Sequence, residues 1–196
     1  MSRSFLSKVA ALFGSDGSAS PSTFVIHGVR VEVNNTRPDI ATHDVLERLT
    51  ESLDLIATYQ PWRLRHLQRD VRAIRVERFA CRGAFVPGDR AIITELTFLA
   101  RRDITAAPVA SSILHEAVHA RVHAMGIERG EDDLPREERL CRRAELAFGH
   151  ALPPELGAPV IERALASLAL GDQEVAPTVD WRVAAQRISD VDGTAK

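Results

Sequence analysis

Cysteine is nearly missing from this 196-residue chain, which holds only Cys81 and Cys141. Two are too few for the disulfide framework of a small secreted domain, and they lack the paired spacing of a zinc ribbon. A reducing, cytoplasmic setting is the expectation. Aromatic residues make up 5% of the chain, which leaves no stacking platform for nucleic acid. Neither sign of charge is in excess: 25 Lys+Arg against 27 Asp+Glu give a net charge of -2, so no global field gathers nucleic acid or an acidic membrane. No apolar run approaches the roughly 20 residues that a spanning helix needs. The apolar stretch 5–13 is short, is interrupted by Lys8, and runs into Gly/Ser-rich sequence without a clear cleavage site, which argues against a signal peptide.

What the chain does have is 45% hydrophobic and 27% charged residues, the proportions of one globular domain with a real core. The small residues of GSDGSASPS, 14–22, separate a flexible N-terminal segment from a domain expected over 23–171. Within it, Phe24, Ile26, Val29, Val31 and Val33 alternate as a peripheral strand or hairpin. From Asp39 the period turns helical, with Val45, Leu46, Leu49, Leu53 and Ile56 on one stripe, Asp39 or Thr42 as its cap, and Pro61 as its end. Three β-type segments follow over 71–79, 83–86 and 91–99, and Pro87-Gly88-Asp89 turns the chain between the last two. Helices are then expected from Pro108 to Met125, over 135–151 and over 158–170, with Gly126 stopping the first. The remaining 172–196 reads as a mostly loose tail in which 180–188 has two helical turns that dock through Trp181. The fold class predicted is α+β, with a small, mainly antiparallel sheet.

The first of those three helices carries His115-Glu116-Ala117-Val118-His119, an H-E-x-x-H sequence placed mid-helix. Residues four apart lie roughly 40° apart around a helix and about 6 Å along it, so both imidazoles can lean toward one ion. Glu116 then stands beside that ion as a general base. The apolar neighbours Ile113, Leu114, Ala117, Val118 and Ala120 make two idle histidines expensive there. A third histidine, His123, sits roughly 12 Å along the axis from His115 and cannot join it on one ion; a cleft rim or solvent suits it. A zinc ion needs a third protein ligand, and the next helix offers Glu137, Glu138 and Glu145. Glu138 and Glu145 share a face but lie roughly 10 Å apart along it, so only one reaches the ion. Glu138 is the first choice and Glu145 the second, while Glu137, among four arginines, reads as a solvated charge.

This pattern resembles the gluzincin metallopeptidases, and especially their small members, the minigluzincins. The resemblance covers about 110 residues, from Asp39 to Ala151. It implies a zincin-like order: a backing helix, a short sheet, the H-E-x-x-H helix, and a glutamate helix whose Glu-x-x-small signature is similar to Glu138-Arg139-Leu140-Cys141. Glu138 follows His119 by 19 positions, close to the thermolysin-like spacing. Glu145 is followed three positions on by Phe148 and fits better as a partner that orients a metal-bound histidine. Arg121, charged and two positions after the second histidine, departs from the family's extended pattern. The resemblance implies one zinc ion held by His115, His119 and Glu138, Glu116 as the base, and a peptide substrate lying along the edge of the segment 91–99. The arginine-rich stretch 63–82 reads as a solvated basic strip, and no nucleic-acid partner is expected.

Overall fold

The computed structural model describes residues 21–127, 130, 133–176, 183, 186 and 188–190. The N-terminal stretch 5–13, and Trp181 with most of 180–188, lie outside them.

β1 (Ser22–Ile26) and β2 (Val29–Val33) form an antiparallel hairpin. Its two-residue turn puts His27 and Gly28 at φ 49° and 72°, the left-handed pair that matches strand twist in the tightest hairpins. Gln68 Nε2 donates to the His27 carbonyl at 2.7 Å and pins the turn. Val29, Val31 and Val33 face the core while Arg30 faces water, as a strand with one wet side requires.

α1 (Thr42–Tyr59) buries Val45, Leu49, Ser52, Leu53 and Ile56, the stripe expected from its period. Neither expected residue caps it. Ala41 holds the cap position without a side-chain bond, and the lead-in is ordered by Asn35, which donates to the Ile40 carbonyl and accepts from the Arg37 amide. That helix ends just before Pro61, as expected, and Pro61 then starts a further helix, α2 (Pro61–Asp70), after the single residue Gln60. Proline suits that first position because its missing amide hydrogen has no helical partner to lose. The apolar content of α2 is little more than Leu64 and Leu67, so its arginines hid it from a reading based on period.

β3 (Ala73–Glu77), β4 (Gly83–Val86) and β5 (Ala91–Glu95) complete a five-stranded sheet in the order β1-β2-β3-β5-β4. The expectation of a mainly antiparallel sheet is corrected: β2–β3 and β3–β5 are parallel, and β1–β2 and β4–β5 are antiparallel. The parallel pairs follow from topology, because α1 and α2 cross over between β2 and β3, and β5 inserts between β3 and β4. All five residues of β5 are buried, as befits an interior strand. The edge next to the histidine-bearing helix is therefore β4, and not the segment 91–99. That segment also stops being a strand at Glu95, whose carboxylate accepts from the Phe98 amide at 2.8 Å and opens the short helix α3 (Leu96–Leu99).

α4 (Ala106–Ala124) runs through the middle of the molecule and packs on α1, α2, β4, β5, α5 (Leu134–Ala151) and α6 (Pro154–Leu168). Gly126 follows it at φ 68°, the stop expected of a glycine there. α6 starts earlier than expected because Pro154 takes its first turn, and Pro159 is carried inside the helix on its exposed side. α5 and α6 approach closely at two glycines: a Cβ on Gly157 would lie 2.2 Å from the Gly149 carbonyl oxygen, and one on Gly149 would lie 2.8 Å from Ile161 Cγ1. The expected tail opens with a small docked helix, α7 (Asp172–Val175), which buries Val175. Arg139 of α5 ties down its approach through the Leu168 and Leu170 carbonyls and the Asp172 carboxylate. The class is α+β, and no helix among the described residues is long and apolar enough to cross a membrane.

Candidate metal centre

His115 and His119 lie one turn apart on α4, their rings 5.1 Å between centroids, with the two Nε2 atoms facing each other at 3.3 Å. α5 crosses above them and lowers four side chains, Glu137, Glu138, Cys141 and Glu145. Glu138 reaches both rings, Oε2 at 3.2 Å from His115 Nε2 and Oε1 at 3.2 Å from His119 Nε2. Cys141, wholly buried, brings Sγ to 3.5 Å from His119 Nε2. His115, His119 and Cys141 lie close enough together to bind one metal ion.

The other ring nitrogens are held from outside. His115 Nδ1 meets Glu145 Oε1 at 2.6 Å, and Glu145 also accepts from Arg142 at 2.6 Å and from Ser111 Oγ at 3.3 Å. His119 Nδ1 meets the Glu137 carboxylate. With Nδ1 of each ring held by a carboxylate, an imidazole that gives up its second proton presents a lone pair on Nε2, turned toward the common point. Glu138 and Glu145 both touch His115, but from opposite nitrogens. Glu137 is different from expectation. Only 4% exposed, it is no solvated charge, because the first turn of α5 points it inward while Arg136 on the same turn faces out. A buried acid in a charge-rich helix has no mark in sequence; the only available signal was its place one residue before Glu138.

Burial pulls the His115 imidazole toward neutrality, but hydrogen bonds to Glu138 and Glu145 outweigh it and push it up to about 10. His119 is likewise raised, against burial, by Cys141, Glu137 and Glu138. Burial alone would lift the Glu138 and Glu145 carboxyls, yet the imidazoles hold both below the usual range. Carboxylates at this depth need positive charge beside them. Two imidazolium ions with nitrogens 3.3 Å apart repel each other, whereas one divalent cation between those nitrogens satisfies every donor.

The spacings fit such an ion. Two nitrogens each about 2.0–2.1 Å from a tetrahedral zinc stand roughly 3.3–3.4 Å apart, and nitrogen and sulfur roughly 3.5–3.6 Å. The observed separations are 3.3 Å between the imidazoles and 3.5 Å from imidazole to thiol.

Glu116 lies beside this cluster and points toward β4. It is 8% exposed, and its side chain makes no hydrogen bond or ion pair among the described residues. Gly83 of β4 leaves room for it: a Cβ there would sit 3.3 Å from both Glu116 Cγ and Ser112 Oγ. Burial, and then the Glu116 charge, push the Cys81 thiol up to about 12. His123 is exposed next to Phe85 of the edge strand, ring centroids 5.6 Å apart, the rim position expected. Arg121 turns away toward α2 and pairs with the buried Asp70 at 3.7 Å. Several arginines of the basic strip are paired as well, Arg69 with Asp70, Arg75 with Glu32 and Asp89, and Arg78 with Glu95.

One prediction separates the buried reading of Glu137 from the solvated one. Glu137→Gln removes the charge that holds His119, and zinc affinity measured by competition with a chromophoric chelator should fall about 10–100-fold, as it does when an outer partner of a metal-binding histidine is lost. Unchanged affinity would mean that the buried Glu137 carboxylate gives a metal-bound His119 no support.

A scan against protein-family models and searches of curated proteins and of solved structures return no match to this chain.

Proposed function

We propose that the protein is a zinc-dependent hydrolase of gluzincin type, acting on peptide bonds, with zinc held by His115, His119 and Glu138. The observation that carries this reading is the convergence of two Nε2 atoms and one carboxylate at spacings of 3.2 and 3.3 Å, with an uncommitted acid, Glu116, alongside. Two nitrogens and a carboxylate suit zinc. A zinc ion bound there supplies Lewis acidity, lowering the pKa of water and polarising a carbonyl.

The chain's own residues would do the rest. Glu145 and Glu137 fix the ring orientations. Glu116, with no hydrogen bond or ion pair to an imidazole among the described residues, would take a proton from water and deliver it to the departing amine. β4 offers an unpaired edge next to α4, where an extended peptide can add as an antiparallel strand through main-chain hydrogen bonds; Phe85 and His123 would line its rim. Both cysteines are free thiols, in keeping with the reducing, cytoplasmic setting proposed from the sequence.

Glu116→Gln tests the mechanism. Zinc content should stay at one ion per chain while hydrolysis of a broad peptide library falls by about 10²–10⁴. Wild-type protein that carries zinc and cleaves nothing in the library would support the second reading, a domain of the same architecture in which the ion is structural. Cys141, with Sγ 3.5 Å from His119 Nε2, favours that second reading, since a thiol so placed could take the position that a water would need.

A further inference from the structure

We infer that Cys141 is itself a metal ligand and supplies the fourth donor of a closed shell made with His115, His119 and Glu138. The inference rests on the reading that those three residues hold an ion. A buried cysteine one turn from a metal-binding glutamate has an ordinary explanation as a small apolar residue that lets two helices approach. Its position here goes further. Sγ contacts His119 Nε2, the nitrogen that also faces His115 Nε2 and the Glu138 carboxylate, and not the carbon edge of the ring.

The separation of 3.5 Å is the nitrogen-to-sulfur edge expected of a tetrahedral site. Glu138 and Cys141 are three residues apart on α5, a spacing that brings two side chains onto one helix face. Two nitrogens, one carboxylate and one sulfur fill four positions, which leaves no place for water until the sulfur withdraws. Catalytic zinc sites keep that position open, so this chain would hold its ion in a resting, sulfur-capped form.

Cobalt(II) substitution reads the sulfur directly, because thiolate ligation gives an intense near-ultraviolet charge-transfer band that nitrogen and oxygen ligands do not. Wild-type protein loaded with one cobalt should show the band. Cys81→Ser should keep it. Cys141→Ser should lose it while still binding cobalt, with an affinity lower by roughly 100-fold or more, beyond the loss from removing an outer partner. Cobalt bound by the wild type without the band, or a band that survives in Cys141→Ser, overturns the assignment of Cys141 and leaves the His-His-Glu reading standing. Failure of the wild type to bind cobalt or zinc at all overturns both.

Discussion

Gly157→Ala should destabilise the protein by about 3 kcal/mol, the upper part of the range for forcing extra volume into a packed interior. For a chain of this size that lowers the melting temperature by roughly 6–12 °C. The added methyl would meet the Gly149 carbonyl oxygen at 2.2 Å, and a backbone oxygen inside a helix has no rotamer to swing aside. The helices themselves must separate. α6 braces the face of α5 that lies behind Glu145 and Phe148, so the separation also loosens the helix that brings three acids and a thiol to the histidines. Gly149→Ala is the matched control. Its methyl meets Ile161 Cγ1 at 2.8 Å, and the Ile161 backbone nitrogen and Val160 Cγ1 at 3.2 Å, which asks for a smaller shift of the helices, and the cost should be about 1–2 kcal/mol. Equal melting temperatures for the two variants would show that the contact between α5 and α6 is looser than described.

The second large effect concerns protons and metal competing for the same nitrogens. In metal-free protein the His115 imidazole rises from its ordinary value near 6.5 to about 10, and His119 moves in the same direction. A group raised on folding adds stability in full below its unfolded value and loses it as pH climbs through the folded one. Chelator-treated protein should therefore become progressively less stable between about pH 6.5 and 10. Zinc behaves in the opposite sense. It binds imidazoles that have lost their Nε2 protons, so its apparent affinity should rise by up to about tenfold per pH unit for each proton displaced. Melting curves with and without zinc should nearly coincide at about pH 6 and diverge widely at about pH 8.5. A zinc effect that is flat across that interval would mean the two imidazoles are not the ligands.

Much of this architecture is legible in the residues. The stripe of α1, the glycine after α4, the bounds of β4 and the pairing of His115 with His119 all follow from local rules of period, turn chemistry and helix pitch. Helix pitch also keeps Glu138 and Glu145 apart, and the two meet His115 at different nitrogens. Strand order is another matter. Nothing local distinguishes a strand that inserts between two others from one that adds at the edge, and so the exposed edge expected at 91–99 belongs instead to β4. α2 escaped notice because seven of its ten residues are polar or proline; neighbouring elements, and not its own period, bury Leu64 and Leu67. The burial of Glu137 has a related cause, while Cys141 shares the face of Glu138 that helix spacing already gives. Which face of α5 turns inward is decided by how it crosses α4, and a one-dimensional reading cannot see that crossing.

The strand order has a practical corollary for labelling. β1 and β4 occupy opposite margins of the sheet, four strand spacings apart, or roughly 19 Å at about 4.8 Å each. Val25, 71% exposed on β1, is thus a convenient place for a fluorophore or spin label: remote enough to leave the imidazoles undisturbed, near enough for a paramagnetic cobalt to report its arrival by distance-dependent quenching or relaxation.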